Sequence, residues 1–166
     1  MPMLRLIALF AFFVFSFQNI AFCKFLSDKN PIQIPFFKVG KLILVEGNLD
    51  GKTGLFIVDT GAPQLILNKA YFEGFKNNFS VTTGVESEIL NSEEIYFKKL
   101  IINELEIKNQ AARVIDLSHL EKSKGIEILG LAGFSIFRKF EMHFDFLNQN
   151  LTLFPLDKKG NSAAGF

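Results

Sequence analysis

Eight consecutive residues, Leu55-Phe56-Ile57-Val58-Asp59-Thr60-Gly61-Ala62, constrain this chain more than any other stretch. Leu55, Phe56, Ile57 and Val58 have the apolar, β-branched and aromatic character of a strand buried in a core. A carboxylate then follows at the strand end. Burying it costs several kcal/mol unless it is hydrogen-bonded or shares a proton with a second acid. Asp59 is therefore either held by the turn that follows or used for chemistry. That turn consists of a hydroxyl, a glycine and a small residue, which allow another backbone to come close.

The flanking sequence reads as more strands. Residues 36–39 and 41–49 are β-prone, and Leu49-Asp50-Gly51-Lys52 predicts a tight hairpin into the Asp59 strand. Residues 65–67 resume the apolar pattern, and Asn68 is expected to cap a short helix ending near residue 72 or 75. Strands are predicted over 95–100, 101–107 and 111–115. Residues 126–134 form an apolar segment with two glycines, 134–140 have helical spacing, and 142–146 with 151–154 make a closing hairpin across Asn148-Gln149-Asn150. The expected architecture is all-β with one or two short helices. With 166 residues, 49% of them hydrophobic, the chain suits one domain with a real core.

The termini read differently. Arg5 followed by an apolar run over 6–17, interrupted only by Ser16, and a small-residue exit has the pattern of a secretory signal over residues 1–23. Cleavage after Cys23 would leave an exported, periplasmic or secreted protein. Lipidation of Cys23, or an uncleaved signal acting as a membrane anchor, is the alternative, although Phe22 is large for the position before a lipidated cysteine. Residues 24–35 read as a tether, 36–157 as the folded domain and 158–166 as a flexible tail. Cys23 is the only cysteine, so the exported domain relies on packing rather than disulfides. Losing Arg5 lowers the basic count from 18 to 17, against 17 acidic residues, and this balance gives no support for nucleic-acid binding.

Other residues compete for a functional role. The polar stretch 77–91, with Thr82, Thr83 and Gly84 near its middle, reads either as a surface loop or as a flap folding over a substrate. Lys99-Leu100-Ile101-Ile102 leading to Val114-Ile115-Asp116 echoes Lys41-Leu42-Ile43-Leu44 leading to Val58-Asp59, which suggests an internal repeat and a second acid. Asp116 is followed by Leu117-Ser118-His119, without a glycine, and reads as an ordinary strand-end acid. His119 and His143 lack the spacing of metal ligands, and Asp145 reads as a turn-stabilising acid.

Together, Asp59-Thr60-Gly61-Ala62 and the later apolar-apolar-Gly of Leu131-Ala132-Gly133 resemble the retropepsin-like aspartic peptidases, in particular their single-lobe bacterial exported kind. The resemblance spans residues 41–154. It implies a single-lobe acid-protease barrel, with Asp59 catalytic, Thr60, Gly61 and Ala62 forming the active-site loop, and Leu131, Ala132 and Gly133 supporting it. It further implies a flap, for which Thr82, Thr83 and Gly84 are candidates, and a homodimer in which each chain supplies one Asp59. Peptide or protein substrates follow, and no metal or cofactor is implied. The same loop would also serve a non-catalytic peptide-binding or envelope module.

Overall fold

The computed structural model of the chain describes residues 30–72 and 93–162. The signal-like segment with Cys23, the flap candidates Thr82, Thr83 and Gly84, and residues 163–166 lie outside the described residues. Strands dominate: β1 (Ile32–Pro35), β2 (Phe37–Val39), β3 (Leu42–Leu49), β4 (Lys52–Val58), β5 (Leu65–Asn68), β6 (Glu93–Ile102), β7 (Leu105–Ile115), β8 (Gly130–Ala132), β9 (Phe140–Asp145) and β10 (Asn150–Pro155). Three short helices punctuate them: α1 (Lys69–Phe72), α2 (Ser118–Lys124) and α3 (Phe134–Phe137). Among the described residues no helix is long and apolar enough to cross a membrane.

The strands form a closed six-stranded barrel in the order β3-β4-β8-β5-β7-β6, with β2 appended to β3. Closure comes from β3 meeting β6 at Asn48↔Ile101 and Leu49↔Leu100. The expected two-residue hairpin is present, with Asp50 and Gly51 both left-handed (φ 49 and 95) between the paired Leu49 and Lys52. Its Asp50 side chain also helps to close the barrel: the carboxylate accepts the backbone N–H groups of Lys98 (3.0 Å) and Lys99 (2.7 Å) in β6.

Alternation along the strands divides the apolar side chains between two cores. Val45 and Phe56 join the large core that runs through to Leu151 and Leu153 of the second sheet, while their neighbours Leu44 and Ile57 pack with Leu117 and Ile128 on the other face. The second sheet, β1-β10-β9, lies outside the barrel order.

Four expectations are corrected. Residues 32–35, read as part of a tether, form β1, paired with β10 from Ile32↔Leu153 to Pro35↔Asn150, because Ile34 enters the large core with 1% of its surface exposed. Residues 101–107 are not a strand of their own: β6 and β7 make one long hairpin that turns at Asn103-Glu104, where Asn103 takes the left-handed conformation (φ 51). Beyond the one or two helices expected there is α2, closed by Gly125 at a left-handed C-cap (φ 67). The start of the tail is folded, since the Asp157 carboxylate accepts the N–H groups of Lys159 (2.7 Å) and Asn161 (2.8 Å) and Leu156 pairs with Ser162.

Candidate active site

Asp59 sits half-buried where β4 ends. β4 runs parallel to β8 with Val58 opposite Ala132, and the ladder continues one residue further, the Asp59 N–H donating to the Ala132 carbonyl at 3.0 Å. The chain then reverses in a tight turn. The Ala62 N–H donates to the Asp59 carbonyl (3.1 Å), and the Gly61 N–H donates to the Asp59 carboxylate at Oδ1 (3.0 Å). Oδ2 has no hydrogen-bond partner among the described residues. One carboxylate oxygen is thus spent on orienting the side chain, and the other is available.

Leu131, Ala132 and Gly133 are brought against this loop. After Ala132 supports Asp59, the N–H groups of Phe134 and Ser135 return to the carbonyls of Ala62 (2.7 Å) and Pro63 (3.2 Å). The loop is therefore clamped on both flanks by one segment. Such an approach requires glycine at 133: a Cβ there would lie 2.2 Å from the Gln64 carbonyl oxygen and 2.7 Å from that of Ala62. β8 is inserted between β4 and β5, with Leu131 opposite Ile57 on one side and Ile66 on the other.

Thr60 and Gly61 are exposed, whereas Ala62 is buried. A Cβ on Gly61 would meet only Asp59 Oδ1, at 3.1 Å, among the described residues. Gln64, directly after the loop, holds a buried amide nitrogen, Nε2, with no hydrogen-bond partner among the described residues.

At the far end of β5 from this loop lies a polar network that sequence reasoning missed. Asn68, fully buried, donates through Nδ2 to the Ile128 carbonyl (3.0 Å) and accepts at Oδ1 from the N–H groups of Leu117 (3.2 Å) and Ala70 (3.3 Å). The Ala70 contact is the cap expected of Asn68. The other two tie the loop before α2 and the approach to β8 together. Next to it, Glu121 accepts at Oε1 from the Tyr71 hydroxyl and the Ile128 N–H, both at 2.8 Å. Burial, and then the bond to Glu121, push the Tyr71 phenol up to about 12. Burial alone would raise Glu121, but the bonds from Ile128, Tyr71 and Asn68 outweigh it and hold the carboxyl below its ordinary value.

The other acids and histidines play local parts. Asp116 is exposed and accepts the Ser118 N–H (2.8 Å), a bond that, with the Ser118 hydroxyl, lowers its pKa. Asp145 accepts the N–H groups of Leu147 and Asn148, both at 3.0 Å, which makes it the turn-stabilising acid expected. His143 meets Glu141 at 2.6 Å and lies tilted at 59° against the Phe154 ring, while His119 is exposed on α2.

Neither a protein-family model nor a curated protein sequence matches the chain. Among solved structures, it is similar to a retropepsin-like aspartic protease from Rickettsia conorii, with TM-score 0.51 and 21% identity over 75% of this chain and 90% of that one. A retroviral protease-like domain of Ddi1 from Leishmania major also matches, with TM-score 0.45 and 20% identity over 69% of this chain and 94% of that one. The Rickettsia likeness takes in most of both chains, and the fold is retropepsin-like.

Proposed function

Starting from a retropepsin-like fold with Asp-Thr-Gly at the end of a barrel strand, we propose that the protein is an aspartic endopeptidase active as a homodimer. The observation that carries this reading is the state of Asp59. Its backbone is clamped by β8, one carboxylate oxygen is held by Gly61, and the other is left without a partner among the described residues.

In the proposed dimer one Asp59 from each chain meets across a two-fold axis. Two such carboxylates cannot both ionise at close range, so they share one proton. The ionised member takes a proton from a bound water, whose oxygen forms the new bond to the peptide carbonyl carbon. The protonated member gives its proton to the carbonyl oxygen. Collapse of the tetrahedral adduct breaks the C–N bond, with a proton passing to the leaving amine. Gly61 fits this role because the described residues leave its surroundings open, and in this reading the exposed Thr60 hydroxyl reaches the opposing loop.

We further infer that the protein works outside the cytoplasm, a reading that rests on residues 1–23 alone. Intact-mass measurement of the exported protein tests it: a mature chain starting near Lys24 supports it, and a retained Met1 overturns it. For the enzymatic reading the test is peptide cleavage at acidic pH by the parent and by Asp59→Asn, with specific activity followed on dilution. Loss of cleavage in the variant and falling activity as dimers separate are expected. Peptide binding without cleavage by the parent would instead assign the fold to a binding or envelope module.

A further inference from the structure

The β9–β10 turn presents its most apolar residues to water. Leu147 is 91% exposed and Phe146 55% exposed at the apex. They are held there firmly. Asp145 Oδ1 accepts the Leu147 and Asn148 N–H groups, Asp145 Oδ2 accepts the Asn148 amide (2.6 Å), and the Phe36 N–H donates to the Gln149 carbonyl (2.9 Å). Phe146 stacks on Phe144 at 5.9 Å and meets the buried Phe36 edge-on at 5.7 Å, so its ring continues the large core outward. The Lys38 ammonium stands over the same ring, 5.5 Å from its centroid. A polar apex would have served a surface turn equally well; this one fixes a leucine in solvent beside an aromatic ring and a cation.

We propose that this apex is a membrane-contact site, inserting Phe146 and Leu147 into the interfacial layer of a bilayer with Lys38 at the headgroup level. Three observations select a lipid surface over a protein. The apolar feature is a projecting tip of two residues, far smaller than the roughly 1,000 Å² that a stable protein interface buries, yet deep enough for shallow insertion of about 5–10 Å. A cation over an aromatic ring at the edge of an apolar tip matches the headgroup boundary, where positive charge meets anionic lipid and aromatic rings are favoured. Read as a secretory signal, the apolar run over 6–17 would bring the chain to a membrane during its export. The acid nearest in sequence, Asp145, spends both carboxylate oxygens on hydrogen bonds within the turn.

The chain contains no tryptophan, so a single one introduced by substitution reports its own surroundings. Full-length Phe146→Trp is mixed with 100 nm vesicles of phosphatidylethanolamine and phosphatidylglycerol, beside Lys158→Trp, which places the reporter beyond the opposite end of β10. Blue-shifted emission, quenched by bromine on the lipid chains, is expected for Trp at 146 and not at 158. Adding Leu147→Glu should lower the partition coefficient of the tip by about tenfold or more. Lys38→Glu should weaken insertion on the anionic vesicles but not on phosphatidylcholine. A chain that sediments with vesicles through its N-terminal segment while Trp at 146 stays unshifted overturns the proposal. A shift that needs no vesicles and grows with protein concentration also overturns it, in favour of a second copy. Unaltered circular dichroism of each variant keeps these outcomes separate from misfolding.

Discussion

Two strand ends of the barrel have the same framework and opposite contents. At one, the hairpin β3–β4 leads to Asp59, β8 runs parallel to β4, and the short helix α3 follows β8. At the other, the hairpin β6–β7 leads to Asp116, β5 runs parallel to β7, and the short helix α1 follows β5. Both acids accept the N–H of the residue two positions on, Gly61 at 3.0 Å and Ser118 at 2.8 Å. The register makes Ala132, opposite Val58, the counterpart of Asn68, opposite Ile115. At the Asp116 end the Asn68 amide fills that position and bonds Leu117 and Ile128, and the chain runs on into α2. At the Asp59 end the same position holds a methyl group and then a glycine, and among the described residues the hydrogen bonds that join β8 and the start of α3 to the loop are all between backbone groups. Among the described residues, a buried side-chain network ties one end of the lobe together, and backbone hydrogen bonds alone join β8 to the loop at the other.

The largest difference should appear when each acid is neutralised. Asp59→Asn is expected to reduce peptide cleavage on the order of 10³-fold without altering the melting temperature much. Asp116→Asn should leave cleavage within about twofold, because the proposed chemistry does not use it. Cleavage assays on both variants check this. An active Asp59→Asn, or a dead but folded Asp116→Asn, would reverse the assignment of the two ends.

Gly133→Ala comes next. Its Cβ would intrude to 2.2 Å from the Gln64 carbonyl oxygen, and backbone cannot yield as a side-chain tip can, so β8 must part from the Asp59 loop. A loss of about 3 kcal/mol or more in urea denaturation is expected, with cleavage falling further than the folded fraction explains. If stability dropped while activity per folded molecule held, the clamp would be structural only.

The comparison also explains what was readable in the sequence. The Asp59 end was legible because its signals are local: an apolar run, Asp-Thr-Gly, and a second apolar-apolar-Gly segment. The echo between the halves was visible too, though the matched tetrapeptides do not share a register. Leu44 pairs with Ile57 deep in its hairpin, while Ile102 pairs with Leu105 beside the turn. The Asp116 end was opaque because its contacts are remote. Asn68 looks like a helix cap, yet its Leu117 and Ile128 partners lie 49 and 60 residues away. Likewise β1 offers only Ile32 and Ile34 before a proline, a pattern too short to show until β10 pairs with it.

Asn68→Ala tests the Asp116 end directly. It would leave the Leu117 N–H and the Ile128 carbonyl buried without this partner, at a cost of about 2–4 kcal/mol together. Thermal or urea denaturation reads the loss. Activity per folded molecule should be retained, since nothing in this network touches the Asp59 carboxylate.

The smallest effect is a pH dependence at the same end. Folding holds the Glu121 carboxyl below its ordinary 4.5, so the unfolded chain binds its proton more readily. The stability it contributes is therefore complete above about pH 4.5 and is lost as pH falls through the lower, folded value. Glu121→Gln removes the charge but keeps the shape. It should cost about 1 kcal/mol at neutral pH, with the gap to the parent closing as the pH falls below the ordinary 4.5 and through the lower, folded value. Tyr71 gives the opposite limb. Its phenol is pushed from 10.0 up to about 12, so its contribution is present below pH 10.0 and disappears as the pH climbs through about 12. Urea denaturation across acid pH, with ultraviolet titration of Tyr71, measures both. A constant gap between parent and variant across the acid range would mean that Glu121 acts by shape rather than by charge. If the network only braces the Asp116 end, the pH profile of cleavage per folded molecule stays the same in Glu121→Gln; a displaced profile would mean that the two ends of the lobe are coupled.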